Sequence, residues 1–208
     1  MLKLYYAANT CALGAHIALE DAGADYEARR LDFTRNEQRQ PEFLAINPKG
    51  RVPALSCPQG LLTESPAILA FIAMSHPAAK LAPLEDAFAF AKVQTFNNYI
   101  ASTLHVAHAH GKRGERWADD PAAIAEMNRK MPEVVLDSFS LIEREMFAGP
   151  FVMGDQYTIC DPYLFTFAQW MEVDRVNPDA LPKLRDHRQM MLQRPAVQKA
   201  IAEEQAAN

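Results

Sequence analysis

The residues with the types and spacing for chemistry begin with Arg51-Val52-Pro53, in the stretch Asn47-Pro48-Lys49-Gly50-Arg51-Val52-Pro53-Ala54-Leu55. Proline gives a sheet no N–H, and an X-Pro bond is the one peptide bond that becomes cis at low cost. A proline opening an apolar strand therefore marks a sharp entry or an edge. Either arrangement leaves the Val52 N–H and C=O free for an extended, peptide-like ligand. The next group is Thr63-Glu64-Ser65-Pro66, ahead of the apolar run Ala67-Ile68-Leu69-Ala70-Phe71-Ile72. Ser65 reads as a helix N-cap and Pro66 as the first helical residue, so unpaired N–H groups and the positive end of the helix dipole face outward, ready for a carboxylate. Between the two groups, Cys57-Pro58-Gln59-Gly60 has the residues of a type I turn, and Ala54 to Leu62 reads as a hairpin that brings them together. A free strand backbone beside an anion-ready helix start suits a small acidic peptide.

Cys11 is the third candidate. It lies at or just before the start of a helix, Cys11 to Gly23, predicted from the spacing of Leu13, Ile17 and Ala18. Such a position lowers a thiol pKa, because the dipole and free N–H groups favour the thiolate. The competing reading is a buried, inert cysteine. Cys11-Ala12-Leu13-Gly14 is not C-x-x-C, so any redox role needs a thiol from outside. In the second half of the chain Gln94, Asn98, His105, His108 and Lys112 line one polar helix side, which by itself reads as a solvated face. His105, His108 and His110 raise a metal reading, but residues three apart share a face while His110 points elsewhere, and no carboxylate stands at ligand spacing. No metal is expected.

These residues need elements to hold them. Leu2 to Tyr6 reads as a strand, and Tyr26 to Asp32 as a second one parallel to it across the first helix. Phe33 to Gln40 is a polar loop in which Arg35 or Arg39 could reach a ligand carboxylate. A short helical turn at Pro41 to Ile46, the hairpin, and a helix Ser65 to Ser75 complete a thioredoxin-like β-α-β-α-β-β-α order over residues 1–78. Residues 79–86, with Pro83, read as a linker with few packing residues. No β-rich run follows, so 87–208 is expected to be an all-helical domain. Ala89, Val93, Phe96, Ile100, Leu104 and Ala107 predict one long helix, on which Asn98 and His105, seven apart, share the other side. Pro121 to Met146 is a long helical stretch that Pro132 should kink or split. Thr158 to Asp161 reads as a capping box before an apolar helix, Tyr163 to Val173, at the core of that domain, with Cys160 a packed thiol. Leu181 to Arg194 and Pro195 to Glu204 finish the bundle.

At 49% hydrophobic and 23% charged, the chain can bury one large core or two modest ones. Its net charge of −5 argues against nucleic acid, and Lys49 and Arg51 are a local exception to that charge. No run suits a membrane span or a signal peptide, and a cytoplasmic protein is expected. The three cysteines, Cys11, Cys57 and Cys160, are too far apart in sequence for a disulfide framework.

With its NPKGRVPAL stretch followed by Thr63-Glu64-Ser65, the chain resembles the cytosolic glutathione transferase family over nearly its whole length, the bacterial beta-class branch in particular. The resemblance implies a thioredoxin-like domain on an all-helical one, glutathione as co-substrate, and a homodimer. In that family the residue before a cis-proline pairs with the cysteinyl backbone of glutathione, and a Glu/Gln-Ser pair at a helix start holds its γ-glutamyl end. These roles fall on Val52, Pro53, Glu64 and Ser65. In the beta-class branch an Asn and a His face the glutathione cleft, matching Asn98 and His105. Tyr6 resembles the tyrosine used by other classes, although its place inside a strand equally fits a structural role. Two positions depart from the pattern: Val106 stands where a Lys follows that His, and Ala12 where related branches place a hydroxyl after the cysteine. The implied activity is conjugation of the glutathione thiolate to an apolar electrophile, with Cys11 the first catalytic candidate and His105 the second. The alternatives are a glutathione-dependent thiol transferase or peroxidase, and a non-catalytic protein of the same fold that binds apolar ligands or a partner.

Overall fold

In the computed structural model, which describes residues 1–206, β1 (Leu2–Tyr6) buries Leu4 and Tyr6 and leaves their neighbours half-buried, the alternation of a strand packed on one face. β2 (Tyr26–Arg30) pairs parallel to it, with Leu4 opposite Ala28. A parallel pair needs a crossover, and α1 (Leu13–Asp21) supplies it. After a short helix α2 (Pro41–Leu44), β3 (Ala54–Cys57) joins the free side of β1 antiparallel, Leu55 opposite Leu4, and the Cys57–Gly60 turn returns the chain as β4 (Gly60–Thr63). The sheet order is β2-β1-β3-β4. Helix α3 (Ser65–Ser75) closes this unit by burying Ile68, Leu69, Ile72 and Ala73. The expected β-α-β-α-β-β-α order is the observed one.

The rest of the described chain is helical: α4 (Ala87–Tyr99), α5 (His105–Lys112), α6 (Pro121–Leu141), α7 (Cys160–Ala168), α8 (Pro182–Leu192) and α9 (Pro195–Ala206). Helix α7 is buried at every position, as its all-apolar sequence requires. It crosses α1 closely: a Cβ added at Gly14 would lie 3.3 Å from the Tyr163 Cα. One apolar cluster runs from Leu4 through Leu81 and Ala82 to Phe96, Phe139 and Leu184, so a continuous core joins the two units. The linker reading of 79–86 is corrected in one respect. Leu81 and Ala82 are buried, and the Leu81 C=O accepts the Ile159 N–H at 2.8 Å.

Three local expectations also change. The single long helix beyond Ala87 is interrupted by a π-helical turn at Ile100–Leu104. The wider turn inserts extra residue per revolution, so residues seven apart across it no longer share a face. Pro132 does not split α6, which runs unbroken from Pro121 to Leu141. A proline leaves the carbonyl four residues back without its donor, and here that carbonyl, Asn128 C=O, accepts from the Arg175 guanidinium, which also reaches the Asn128 side chain at 3.0 Å. At the start of α7 half of the capping box forms. Asp161 Oδ2 accepts the Thr158 N–H at 2.7 Å, but the Thr158 hydroxyl accepts from the Cys160 N–H at 3.3 Å instead of from Asp161. The other oxygen of Asp161 accepts the Val152 N–H at 2.8 Å and faces His187 Nε2 at 3.1 Å, so this buried carboxylate ties three segments together.

Candidate active site

A cleft of about 460 Å³ opens between the sheet's β3–β4 end and the helices α5 and α7. Its first wall is built by a tight loop. Gly50 has φ +58, and a Cβ there would lie 2.8 Å from the Gln38 carbonyl and 3.0 Å from the Arg39 guanidinium, so no other residue fits. The buried Asn47 side chain donates to the Arg51 C=O at 2.8 Å and accepts the Lys49 N–H at 3.2 Å, which fixes the turn from within. The chain then passes through a cis Val52–Pro53 bond into β3, and both residues line the cleft.

Glu64 and Ser65 line it from the start of α3. The structure moves the helix start by one residue: Ser65 is the first helical residue and Glu64 occupies the cap position, its C=O accepting the Ile68 N–H at 3.0 Å. The Ser65 side chain is buried and free of a capping role, since no side chain caps α3. Glu64 sits at φ 70, ψ 119, a conformation that costs a non-glycine residue of order 1–3 kcal/mol and tends to persist where function holds it. Lys49 reaches across to it, Nζ to Oε1 at 2.6 Å, and also donates to the Thr63 hydroxyl at 2.8 Å.

Cys11 stands at the base of the cleft, half-buried, with Sγ 3.5 Å from the Val52 C=O. The α1 helix starts only at Leu13, so Cys11 belongs to the turn before it and outside its first N–H groups. Its thiol is therefore not activated as expected. Desolvation pushes it up to about 11, and the Ser65 hydroxyl and the Arg113 charge oppose this only in part. Cys160 is fully buried and burial raises its thiol as well, as an inert packed cysteine.

His105 enters from α5, its ring 5.1 Å from Phe167 and 5.8 Å from Trp170. Burial, then the charge of Arg113, drives its imidazole down to about 3, so it is neutral at physiological pH. Its Nε2 faces Arg113 Nη2 at 3.5 Å and acts as the acceptor. Beside it His108 holds the buried Asp174 carboxylate through Nδ1, at 2.8 and 2.9 Å, and stacks on Trp170 at 4.4 Å.

Three expected site residues lie elsewhere. Tyr6 is 2% exposed in the sheet core, packed on His16 at 5.1 Å, because its strand position turns it away from the cleft. Asn98 is exposed and donates to the Gln94 C=O at 2.8 Å; the π-helical turn rotates it off the face that carries His105. Arg35 is exposed in the 33–40 loop, where Arg39, four residues on, is the one that lines the cleft. Conversely, sequence reasoning passed over Tyr163, Arg113, Arg116, Trp117 and Trp170, all of which line it. Tyr163 and Trp170 lay inside a helix read only as core. The run Arg113-Gly114-Glu115-Arg116-Trp117, basic and aromatic in an acidic chain, was the available signal for the others. Among the described residues no group of three His, Cys, Asp or Glu is placed to hold a metal ion, and no helix is long and apolar enough to cross a membrane.

The fold and the cleft define a two-domain protein of thioredoxin-like and helical halves, with the cleft between them. Residues 1–74 match the model of the glutathione S-transferase N-terminal domain, and residues 121–195 that of the C-terminal domain. Glutathione S-transferase GstA of Escherichia coli O157:H7 is 30% identical over 98% of both chains. A glutathione transferase homologue from sulfitobacter, solved with bound glutathione, is 39% identical and superposes with a TM-score of 0.94 over 98% of both chains. The bacterial beta-class glutathione S-transferase of Sphingomonas chungbukensis is 28% identical with a TM-score of 0.85, over 97% of this chain and 98% of that one. The chain belongs to the glutathione S-transferase family.

Proposed function

We propose that the protein conjugates glutathione to an organic electrophile held in this cleft. The observation that carries the reading is the convergence of the cis Val52–Pro53 edge, the Glu64–Ser65 helix start and the Cys11 thiol on one surface, with Cys11 Sγ 3.5 Å from the Val52 C=O. The cysteinyl backbone of glutathione pairs with the Val52 main chain. Its γ-glutamyl carboxylate takes the free N–H groups at the start of α3, and its ammonium group takes Glu64. The glutathione sulfur then lies beside Cys11. A thiol held up at about 11 stays protonated at neutral pH, so Cys11 donates its S–H toward the glutathione thiolate. The thiolate attacks the electrophilic carbon, an S–C bond forms, and the leaving group departs with its electron pair; the thiol proton goes to solvent. His105, held near 3, is too weak a base for that proton and instead positions Arg113 through their 3.5 Å contact.

The same thiol state favours conjugation over thiol exchange, which needs Cys11 as the attacking thiolate. Turnover of glutathione with a chlorodinitrobenzene, set against reduction of a glutathione mixed disulfide, separates the two. The reading expects conjugation to dominate. Reduction without conjugation would make the protein a thiol transferase, and the absence of both a binding protein. A cytoplasmic location follows from the reading, since a reduced glutathione pool is held there. We also assign a homodimer, supported by Met74 on α3 and Phe88 on α4, which are 55% and 73% exposed and need cover. A monomer mass in light scattering would reject it.

A further inference from the structure

The walls of the cleft carry five cationic side chains, Arg39, Lys49, Arg51, Arg113 and Arg116, against one carboxylate, Glu64, an excess of four positive charges in a chain of net charge −5. Lys49 is already engaged by Glu64 at 2.6 Å. Among the described residues none of the four arginines forms an ion pair. Resting on the glutathione transferase reading, the charges of the first substrate can be set against this excess. Glutathione brings two carboxylates and one ammonium, and even as the thiolate it leaves two positive charges unmatched. Arg39 and Arg51 flank Gly50 on the wall that takes the peptide. Arg113 and Arg116 stand on the opposite, helical wall.

That wall is built to hold its charges in place. Arg113 caps the end of α5, and its Nε is buried without a partner while Nη2 faces His105. Arg116 ends a 3-10 turn, Gly114–Arg116, that is pressed onto α6: a Cβ at Gly114 would lie 3.1 Å from Ile124 Cγ2. Arg116 is itself exposed, and partial burial with the neighbouring charges of Arg113, Arg51 and Arg39 holds its guanidinium below the usual range, with Glu115 opposing them only in part. The cleft lining also includes two tryptophans, Trp117 stacked on His110 at 4.1 Å and Trp170 stacked on His108 at 4.4 Å.

We infer that the second substrate is a carboxylate-bearing electrophile, its flat body against the tryptophans and its carboxylate on Arg113 and Arg116. The apolar acceptor expected from the resemblance supplies only half of what this wall offers. Guanidinium–carboxylate pairing is charge-assisted and bidentate, and an uncharged analogue leaves those arginines unpaired.

The test uses one ring in two charge states, 4-chloro-3,5-dinitrobenzoate and its methyl ester, with kcat/KM for each divided by its uncatalysed rate with glutathione. The inference expects the carboxylate to be favoured by about tenfold or more, and Arg116→Gln to bring the ratio of the two close to unity. Added salt should also lower the carboxylate rate more than the ester rate. A ratio at or below one in the parent protein, or a ratio that Arg116→Gln does not move, overturns the inference while ester turnover still upholds the transferase. If neither compound is conjugated, both fail.

Discussion

Cys11 shows how a residue can be in the right place for the wrong reason. Its position just before a helix points to an activated thiolate, but the helix starts at Leu13 and the thiol is desolvated at the base of the cleft, which raises it to about 11. Desolvation of the charged form outweighs the hydroxyl of Ser65 and the charge of Arg113. Since only the thiolate alkylates, the rate of Cys11 labelling by iodoacetamide should keep rising with pH through the mildly alkaline range. At neutral pH the half-buried hairpin residue Cys57 should be labelled first. Peptide mass spectrometry over a pH series reads both. Labelling of Cys11 that levels off near neutrality would restore the activated thiolate and, with it, thiol exchange. The residues whose place in the cleft was legible in the sequence were those set by the backbone: Val52 and Pro53 at the strand entry, Glu64 and Ser65 at the helix start. Those that depend on which way a side chain turns, Tyr6, Arg35 and Asn98, were not.

Elements were predicted well wherever periodicity is local. The four strands, the hairpin turn at Cys57–Gly60 and the buried α7 all follow from alternation, turn residues or an all-apolar run. What escaped depends on partners distant in sequence. The π-helical turn at Ile100–Leu104 carries no compositional signal, yet it decides that His105 faces the cleft and Asn98 does not. Pro132 leaves α6 whole because Arg175, from the segment after α7, takes the orphaned Asn128 carbonyl. Removing that donor leaves the carbonyl to water, a loss on the order of 1 kcal/mol for one hydrogen bond and more if the helix opens. Arg175→Ala should lower the denaturation midpoint accordingly and speed amide exchange around Asn128 to Pro132, with little change across the sheet. If exchange there is unaffected, the continuity of α6 has another cause.

At the scale of the whole molecule, the two halves share one apolar core and are also clasped by polar contacts from the last helices. His16 of α1 is fully buried between Glu203, at 3.0 Å, and Glu204, at 3.5 Å, of α9, and Asp21 accepts from Arg194 at 2.9 Å and from Tyr157. An interface this apolar and this tied holds the cleft walls in a fixed relation, which two substrates meeting at one sulfur require. The central claim is that glutathione lies on the first wall, with its γ-glutamyl end at Glu64 and Ser65. Titration calorimetry of glutathione into the parent and into the Glu64→Ala, Ser65→Ala double variant tests it most directly. The account predicts at least about a tenfold loss of affinity with a still cooperative thermal transition, since the Glu64 carboxylate that takes the ammonium group and the Ser65 hydroxyl are removed while the apolar core is untouched. Equal affinity in a folded double variant would contradict it.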